Sequence, residues 1–454
     1  MTRTVEVPLW LLLLILLFAG VTFASHFLFP SVRWFFRRRM ERAVARLNQR
    51  LKRPIEPFKL ARRHDMIQRL IYDPAVAQAV AEEAHAEGIP EAVAFERARD
   101  YAREIVPAFS ATLYFGWGAR LARWLSRSLY RIRLSENDMA ALDRLPPEAA
   151  VVFVMNHRSN MDYVLVTWLV SESAALSYAV GEWARVWPLS GMIRMMGAFF
   201  IRRRNRSPLY RRVLARYVQM ATAGGVAQAI FPEGRLSLDG RMGEPRLGLL
   251  SYIVEDAPHR ARDVIFVPVA LNYDRVLEDR FLVRAHLTGV RRFRPSLGEV
   301  LGALGHHLWQ RATLRFRGFG TARVSLGAPL SLREFLAHAP ERPTEALAGE
   351  LMARVARAMP ILPVPLVARH LLEGEAWAPE ALRAAVREDL AGLGRRGATL
   401  PGRGAGMIVA DALEILSERG AVVARDGLVT RTKAEEPLLA YYAGSVAHLF
   451  RTDA

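Results

Sequence analysis

An α/β fold is what this sequence predicts: a mixed sheet flanked by helices, with a transmembrane helix at the N-terminus and helical regions on both sides of the sheet domain. Three observations carry that expectation. An apolar run without a charged residue extends from Val7 to Phe29. Between residues 141 and 330 short β-branched runs alternate with helical stretches, the texture of an α/β sheet. The flanking segments are rich in Arg, Glu and Ala, with apolar residues three and four apart.

The apolar run defines the first segment, 1–30. A helix of that length rises roughly 34 Å, enough for a hydrocarbon core of about 30 Å. Trp10 and Trp34 stand near its ends, and Arg33, Arg37, Arg38, Arg39, Arg42 and Arg46 follow it, against Arg3 alone before it. The positive-inside rule then puts the N-terminus outside and everything after Pro30 in the cytoplasm, a single-pass anchor. A cleaved signal peptide is the alternative, opposed by the length of the run and the basic block behind it.

Residues 31–140 read as a helical region broken at Pro54, Pro57, Pro74 and Pro90. Within it, Tyr101 to Tyr130 is apolar and aromatic on one face, with Trp117 and Trp124, and is expected to pack in the core rather than lie on a membrane. The α/β domain follows at 141–330. Its strand signals are Ala149–Met155, bounded by Pro146-Pro147, then Ala198–Ile201, Val226–Phe231 and Val264–Leu271, with Arg323–Leu326 as a closing strand. The C-terminal region, 331–454, returns to helix. It has a break at Pro360–Pro365, a Gly/Arg linker at Gly392–Gly406, a helix at Met407–Arg419 and a hairpin around Asp426-Gly427.

The chain carries a formal charge of +18 and contains no cysteine. Disulfides, a thiolate nucleophile and cysteine-ligated metals are thereby excluded. Lysine occurs only at Lys52, Lys59 and Lys433, so arginine supplies the excess, and its planar fork suits phosphate. An anionic partner follows: acidic lipid, a phosphorylated substrate or nucleic acid. The sequence has no Gly-x-Ser-x-Gly elbow, no His-Glu-x-x-His and no Gly-x4-Gly-Lys loop. His306-His307 has no obvious carboxylate companion, and no metal site is expected.

The densest polar cluster, Asn156-His157-Arg158-Ser159-Asn160-Met161-Asp162, follows the Ala149–Met155 strand, where α/β sheets place their sites. If His157 lies on the turn and Ser159 or Asn160 caps the helix, Asp162 reaches back to the imidazole. An aspartate on one ring nitrogen fixes the tautomer and leaves the other to take a proton from an alcohol. His-x4-Asp alone has little specificity. Its company gives it weight: Arg202-Arg203-Arg204 after one strand, Pro232-Glu233-Gly234-Arg235 after the next with Ser237, Gly240, Arg241 and Arg246 beyond, and Pro268 within the next. A histidine, two arginine groups and a glycine-bearing turn at successive strand ends suit a phosphorylated alcohol.

These four blocks, His157–Tyr163, Gly197–Arg203, Phe231–Gly240 and Val267-Pro268-Val269, resemble in order and spacing those of the glycerol-3-phosphate and acylglycerol-phosphate acyltransferases. Pro245–Gly248, Leu439–Tyr442 and His448 resemble the glycerol-3-phosphate branch. The third block departs from the family in carrying Leu236 before Ser237, with Arg235 one position earlier, so Arg246 or Arg241 is an alternative phosphate contact. The resemblance implies the glycerolipid acyltransferase fold, His157 as general base and Asp162 as its orienting partner. Arg202, Arg203 and the arginines near Glu233 would hold phosphate, Glu233 and Gly234 would shape the acceptor site, and Pro268 would build the acyl wall.

The implied reaction moves an acyl group from a thioester, acyl-CoA or acyl carrier protein, to the sn-1 hydroxyl of glycerol 3-phosphate. No cofactor is expected, and a bacterial inner membrane is the expected setting, with membrane lipids as partners and nucleic acid not among them. The alternatives are a lysophosphatidate or other lysophospholipid acyltransferase and, outside enzymes, a membrane-tethered binder of acidic lipid or nucleic acid.

Overall fold

The computed structural model describes residues 8–171, 173–181, 189–202, 207–290 and 318–451. The chain forms two units, Met1–Pro54 and Ile55–Ala454. The first is a helix, Leu9–Asn48. Among the described residues, no helix is long and apolar enough to cross a membrane. The Leu9–Asn48 helix continues through Arg38, Arg39, Glu41, Arg42 and Arg46. The expected transmembrane helix at 1–30, and the single-pass orientation built on it, is corrected accordingly.

The second unit begins with helices Arg63–Ile71, Pro74–Glu87 and Glu91–Ile105. Asp73 caps the middle one, accepting from the Ala75 amide at 3.0 Å, and Pro74 takes the first helical position, where no backbone donor is needed. Asp73 also binds Arg216 at 2.7 Å, tying this helix to Pro208–Ala223. Val76, Ala94, Ala98 and Ala102 are fully buried in the core they share with the sheet. A π-helical turn, Thr112–Gly118, then leads into the helix Ala119–Leu129. Here the aromatic face divides. Tyr114 and Tyr130 are buried, but Trp117 and Trp124 are 57% and 52% exposed, so the expected core packing fails for both tryptophans.

Eight strands among the described residues build the main sheet: β1 Arg131–Leu134, β2 Ala150–Met155, β3 Ser177–Gly181, β4 Phe199–Ile201, β5 Gln228–Ile230, β6 Val264–Tyr273, β7 Thr321–Leu326 and β8 Leu330–Ser331. Their order is β1-β7-β6-β2-β5-β3-β4, with β8 on β6. The run β6-β2-β5-β3-β4 is parallel, while β7 and β8 lie antiparallel to β6, so the sheet is mixed, as expected. Val154 of β2 pairs with Ile230 on one side and Pro268 on the other. β2 and β6 are buried along their whole length, which explains their unbroken apolar sequences.

Beyond the sheet, helices Pro343–Arg357, Pro363–Glu373, Pro379–Arg395 and Ala405–Glu418 follow. The strands Val422–Arg425 and Leu428–Arg431 form the predicted hairpin, to which Ala376–Trp377 adds a third strand. The helix Glu436–Gly444 closes the unit and packs against Pro363–Glu373.

Candidate active site

The carboxyl ends of β2, β3, β4 and β5 lie side by side because these strands run parallel. Asn156, fully buried, fixes the end of β2. Its amide donates to the Leu271 carbonyl at 2.9 Å and its oxygen accepts from the Leu271 amide at 2.8 Å, taking over the bonding to β6 where β2 stops. The chain then turns, and the helix Met161–Ser171 starts behind Ser159, whose hydroxyl oxygen accepts from the Met161 amide at 3.1 Å.

That turn brings His157 and Asp162 together. Nδ1 of His157 lies 2.9 Å from Oδ2 of Asp162, which also accepts from the backbone amides of Arg158 at 2.7 Å and Ser159 at 3.0 Å. Oδ1 of Asp162 accepts from the Tyr273 hydroxyl at the end of β6. Both His157 and Asp162 are buried. The imidazole packs on Phe231, with ring centres 4.3 Å apart, and Tyr163 meets it edge-on at 5.3 Å. With Nδ1 occupied by the carboxylate, Nε2 is the nitrogen left for chemistry.

The loop after β5 holds the backbone of the same turn. Oε1 of Glu233 accepts from the His157 amide at 3.0 Å and Oε2 from the Gly243 amide at 2.9 Å, while the Ser237 amide donates to the His157 carbonyl at 3.0 Å. Burial pushes the Glu233 carboxyl above its ordinary range. Glu233 and Ser237 thus clamp the histidine turn from both sides. Gly234 closes the Phe231–Gly234 turn at φ 67°, where a Cβ would come 2.9 Å from Arg246 Cδ. Gly240, at φ 79°, is under tighter constraint, since a Cβ would fall 1.7 Å from the Tyr441 carbonyl oxygen.

The arginines divide. Arg246 lines a cleft of about 110 Å³ together with His157, Tyr163, Phe231 and Gly234, and it makes no ion pair with a described residue. Arg202 follows Ile201, which lines that cleft, but its guanidinium forms a two-pronged pair with Glu104, Nε–Oε1 3.0 Å and Nη2–Oε2 2.8 Å. It also stacks over Tyr101 at 4.9 Å. Arg235 is exposed and is not part of the cleft lining, nor is Arg241. Arg203 and Arg204, like His306-His307, lie outside the described residues. Pro268 sits within β6 rather than in the cleft; its ring packs near Gly327.

Several partners escaped the sequence reading. Tyr273 is one. Glu278 is another: it accepts from the Ser159 hydroxyl at 2.7 Å and the Asn160 amide at 3.0 Å. Arg158, fully buried, donates to the Gly240 carbonyl and lies over the Tyr441 ring at 5.0 Å, joining the histidine turn to the C-terminal helix. Tyr273 ends β6 and Arg158 follows β2, whereas Glu278 stands just before the helix Asp279–Thr288, where no strand signal singles it out.

A second cavity, of about 240 Å³, adjoins the cleft through Tyr163, which lines both. Its walls are almost wholly apolar: Leu121 and Leu125 from one helix, Val164 and Thr167 from another, Val180 of β3, and Met192. No group of three or more His, Cys, Asp or Glu residues suited to a metal occurs among the described residues.

A carboxylate-held histidine at the carboxyl edge of a mixed sheet, over a cleft lined by Arg246 and beside an apolar cavity, defines the acyltransferase class, and the family model described as Acyltransferase matches residues 138–272. A second model, Glycerol-3-phosphate acyltransferase C-terminal region, matches residues 307–454. The chain belongs to the glycerol-3-phosphate acyltransferase family. The glycerol-3-phosphate acyltransferase of Aeromonas hydrophila is 31% identical over 420 residues, 86% of this chain and 50% of the relative. That of Pseudomonas putida strain W619 is 29% identical over 442 residues, 91% of this chain and 52% of the relative. The chain therefore spans about half the length of these curated relatives. A solved 1-acyl-sn-glycerophosphate acyltransferase from Thermotoga maritima is 21% identical, and the match covers 54% of this chain and 80% of that one, with a TM-score of 0.29.

Proposed function

We propose that this chain transfers a fatty acyl group from a thioester, acyl-CoA or acyl carrier protein, to the sn-1 hydroxyl of glycerol 3-phosphate. The observation that carries the reading is the His157–Asp162 pair, with Nδ1 engaged at 2.9 Å beside a cleft lined by Arg246. Nε2 of His157 removes the hydroxyl proton as the acceptor oxygen attacks the thioester carbonyl. The tetrahedral species collapses with cleavage of the C–S bond, and the imidazolium returns the proton to the departing thiolate. Asp162 keeps the tautomer and stabilises the imidazolium charge.

Arg246 supports the acceptor assignment, because a guanidinium at the cleft that pairs with no carboxylate among the described residues is suited to a phosphate. The apolar cavity beyond Tyr163 supports an acyl donor: the chain lies there while its carbonyl reaches the cleft. The product of this reaction belongs in a bilayer, so the enzyme works at a membrane surface.

The test is a donor-by-acceptor matrix with purified protein: labelled acyl-CoA or acyl carrier protein against glycerol 3-phosphate, lysophosphatidate and other lysophospholipids. Transfer to glycerol 3-phosphate at least tenfold faster than to any lysophospholipid is expected. Preference for lysophosphatidate would overturn the acceptor assignment, and transfer to no acceptor would overturn the enzymatic one.

A further inference from the structure

Every backbone amide from His157 to Asp162 has an acceptor, and the identity of the acceptors shows what holds the turn. The His157 amide goes to Glu233, those of Arg158 and Ser159 to Oδ2 of Asp162, and that of Met161 to the Ser159 hydroxyl. The Asp162 amide closes on the Ser159 carbonyl at 3.0 Å. The Asn160 amide is taken by Oε1 of Glu278 at 3.0 Å, from 118 positions away. Three carboxylates thus hold the turn: Asp162 from within, Glu233 from the loop after β5 and Glu278 from the loop after β6.

The second oxygen of Glu278 does more than fill space. Oε2 accepts from the Ser159 hydroxyl at 2.7 Å, while the same hydroxyl oxygen caps the helix that carries Asp162. A hydroxyl has one proton and a carboxylate can only accept, so Glu278 draws that proton to itself and leaves a lone pair for the Met161 amide. Burial pushes the Glu278 carboxyl up, the bonds from Ser159 and Asn160 pull it back, and the Asp162 charge adds to the rise. Its loop is staked by the C-terminal helix. The Tyr442 hydroxyl donates to Oδ2 of Asp279 at 2.6 Å and accepts from the Val276 amide at 3.1 Å, and Arg419 pairs with Oδ1 of Asp279.

We infer that Glu278 is a positioning residue for acyl transfer: its carboxylate fixes Ser159 and Asn160, and through them the His157–Asp162 pair, with Tyr442 of the C-terminal helix holding the loop that presents it. The inference rests on the acyl-transfer reading for the step it serves, but the state of the imidazole is measured without turnover. Glu278 acts through the turn, so its loss is felt in kcat rather than in the affinity for either substrate.

The test uses the full chain and two readouts. Glu278→Gln keeps the volume and an acceptor for Asn160 but cannot accept the Ser159 proton in the same way, whereas Glu278→Ala loses both bonds. Falls in kcat of about tenfold for Gln and about a hundredfold for Ala are expected, with KM for both substrates within about twofold. Adding Glu278→Gln to Ser159→Ala should lower kcat by less than about threefold further, because the bond it removes is already gone. The second readout is proton NMR of the substrate-free chain labelled with 15N-histidine. The proton between Nδ1 of His157 and Asp162 gives a low-field signal, identified by its loss in His157→Ala. In Glu278→Gln that signal should move upfield and exchange faster with water, and Tyr442→Phe should move it in the same direction. An unmoved signal, an unchanged kcat or fully additive losses with Ser159→Ala would overturn the positioning role. So would a fall in kcat that only follows the folded fraction measured by thermal unfolding. A signal that moves as expected in a chain whose unaltered form transfers to no acceptor would strike the acyl-transfer reading alone.

Discussion

Tyr273 donates its hydroxyl to Oδ1 of Asp162, so the carboxylate that meets His157 on one oxygen is held from β6 on the other. Burial, reinforced by the Asp162 charge, raises the Tyr273 hydroxyl well above its ordinary pKa, so it remains a donor. Tyr273→Phe leaves Asp162 its Oδ2 bonds to Arg158 and Ser159 but frees one oxygen. The expected result is a fall in kcat of about tenfold with little change in KM, and a loss of roughly 1–3 kcal/mol of stability. Steady-state kinetics with denaturant unfolding checks both. An unchanged kcat would show that the turn alone orients the carboxylate.

Arg246 and Arg202 separate by phenotype. Arg246→Ala should raise KM for glycerol 3-phosphate about tenfold or more, because one charge-assisted contact to phosphate is lost. Arg202→Ala instead leaves Glu104, which is largely buried, without its two-pronged partner. Its main effect is expected in thermal unfolding, a loss of about 1–3 kcal/mol, with a smaller change in KM. The reverse pattern would move the phosphate site towards Arg202.

Filling the apolar cavity should shorten the preferred donor. Val164 points into it beside Thr167 and Val180. Val164→Trp takes space that a long chain needs, and each methylene left in water costs about 0.8 kcal/mol. The ratio of kcat/KM for palmitoyl- to octanoyl-CoA should drop at least tenfold. An unchanged ratio would place the acyl chain elsewhere.

Asp274 gives a pH prediction for stability. It is fully buried at the end of β6 and accepts from the Thr321 amide at 2.8 Å and the Val364 amide at 3.0 Å. Burial pushes its carboxyl up to about 6 in spite of those bonds. A raised folded value means that the native state holds the proton longer than the unfolded chain. Its contribution therefore falls as pH climbs from about 4 to about 6 and stays low above that, a change of roughly 3 kcal/mol. Asp274→Asn should flatten that part of the stability curve. Denaturant midpoints from pH 4 to 7 for both proteins measure it, and parallel curves would contradict the assignment.

The two strands most legible in the sequence have no solvent-facing side. β2 and β6 are buried throughout, and so read as continuous apolar runs between breakers. β1 escaped because Arg131-Ile132-Arg133-Leu134 alternates charge with apolar residues at the sheet edge, and β3 because it follows the apolar helix Met161–Ser171 within a few residues. The histidine turn was visible because its partner is five positions away. Tyr273 lies 111 positions from Asp162 and Glu104 lies 98 from Arg202, distances at which only the fold decides who meets whom. Helical spacing showed an aromatic face at Trp117 and Trp124 but not what covers it, and the apolar run at the N-terminus suggested a membrane span where no described helix is long and apolar enough to cross one.

The central claim is that His157 acts as the base and Asp162 sets it. The direct measurement is single-turnover transfer of labelled acyl groups to glycerol 3-phosphate by the unaltered chain, His157→Ala and Asp162→Asn, with far-UV circular dichroism confirming that each is folded. Losses of at least a thousandfold for His157→Ala and a hundredfold for Asp162→Asn are expected. A folded His157→Ala protein that transfers at the original rate would contradict the account.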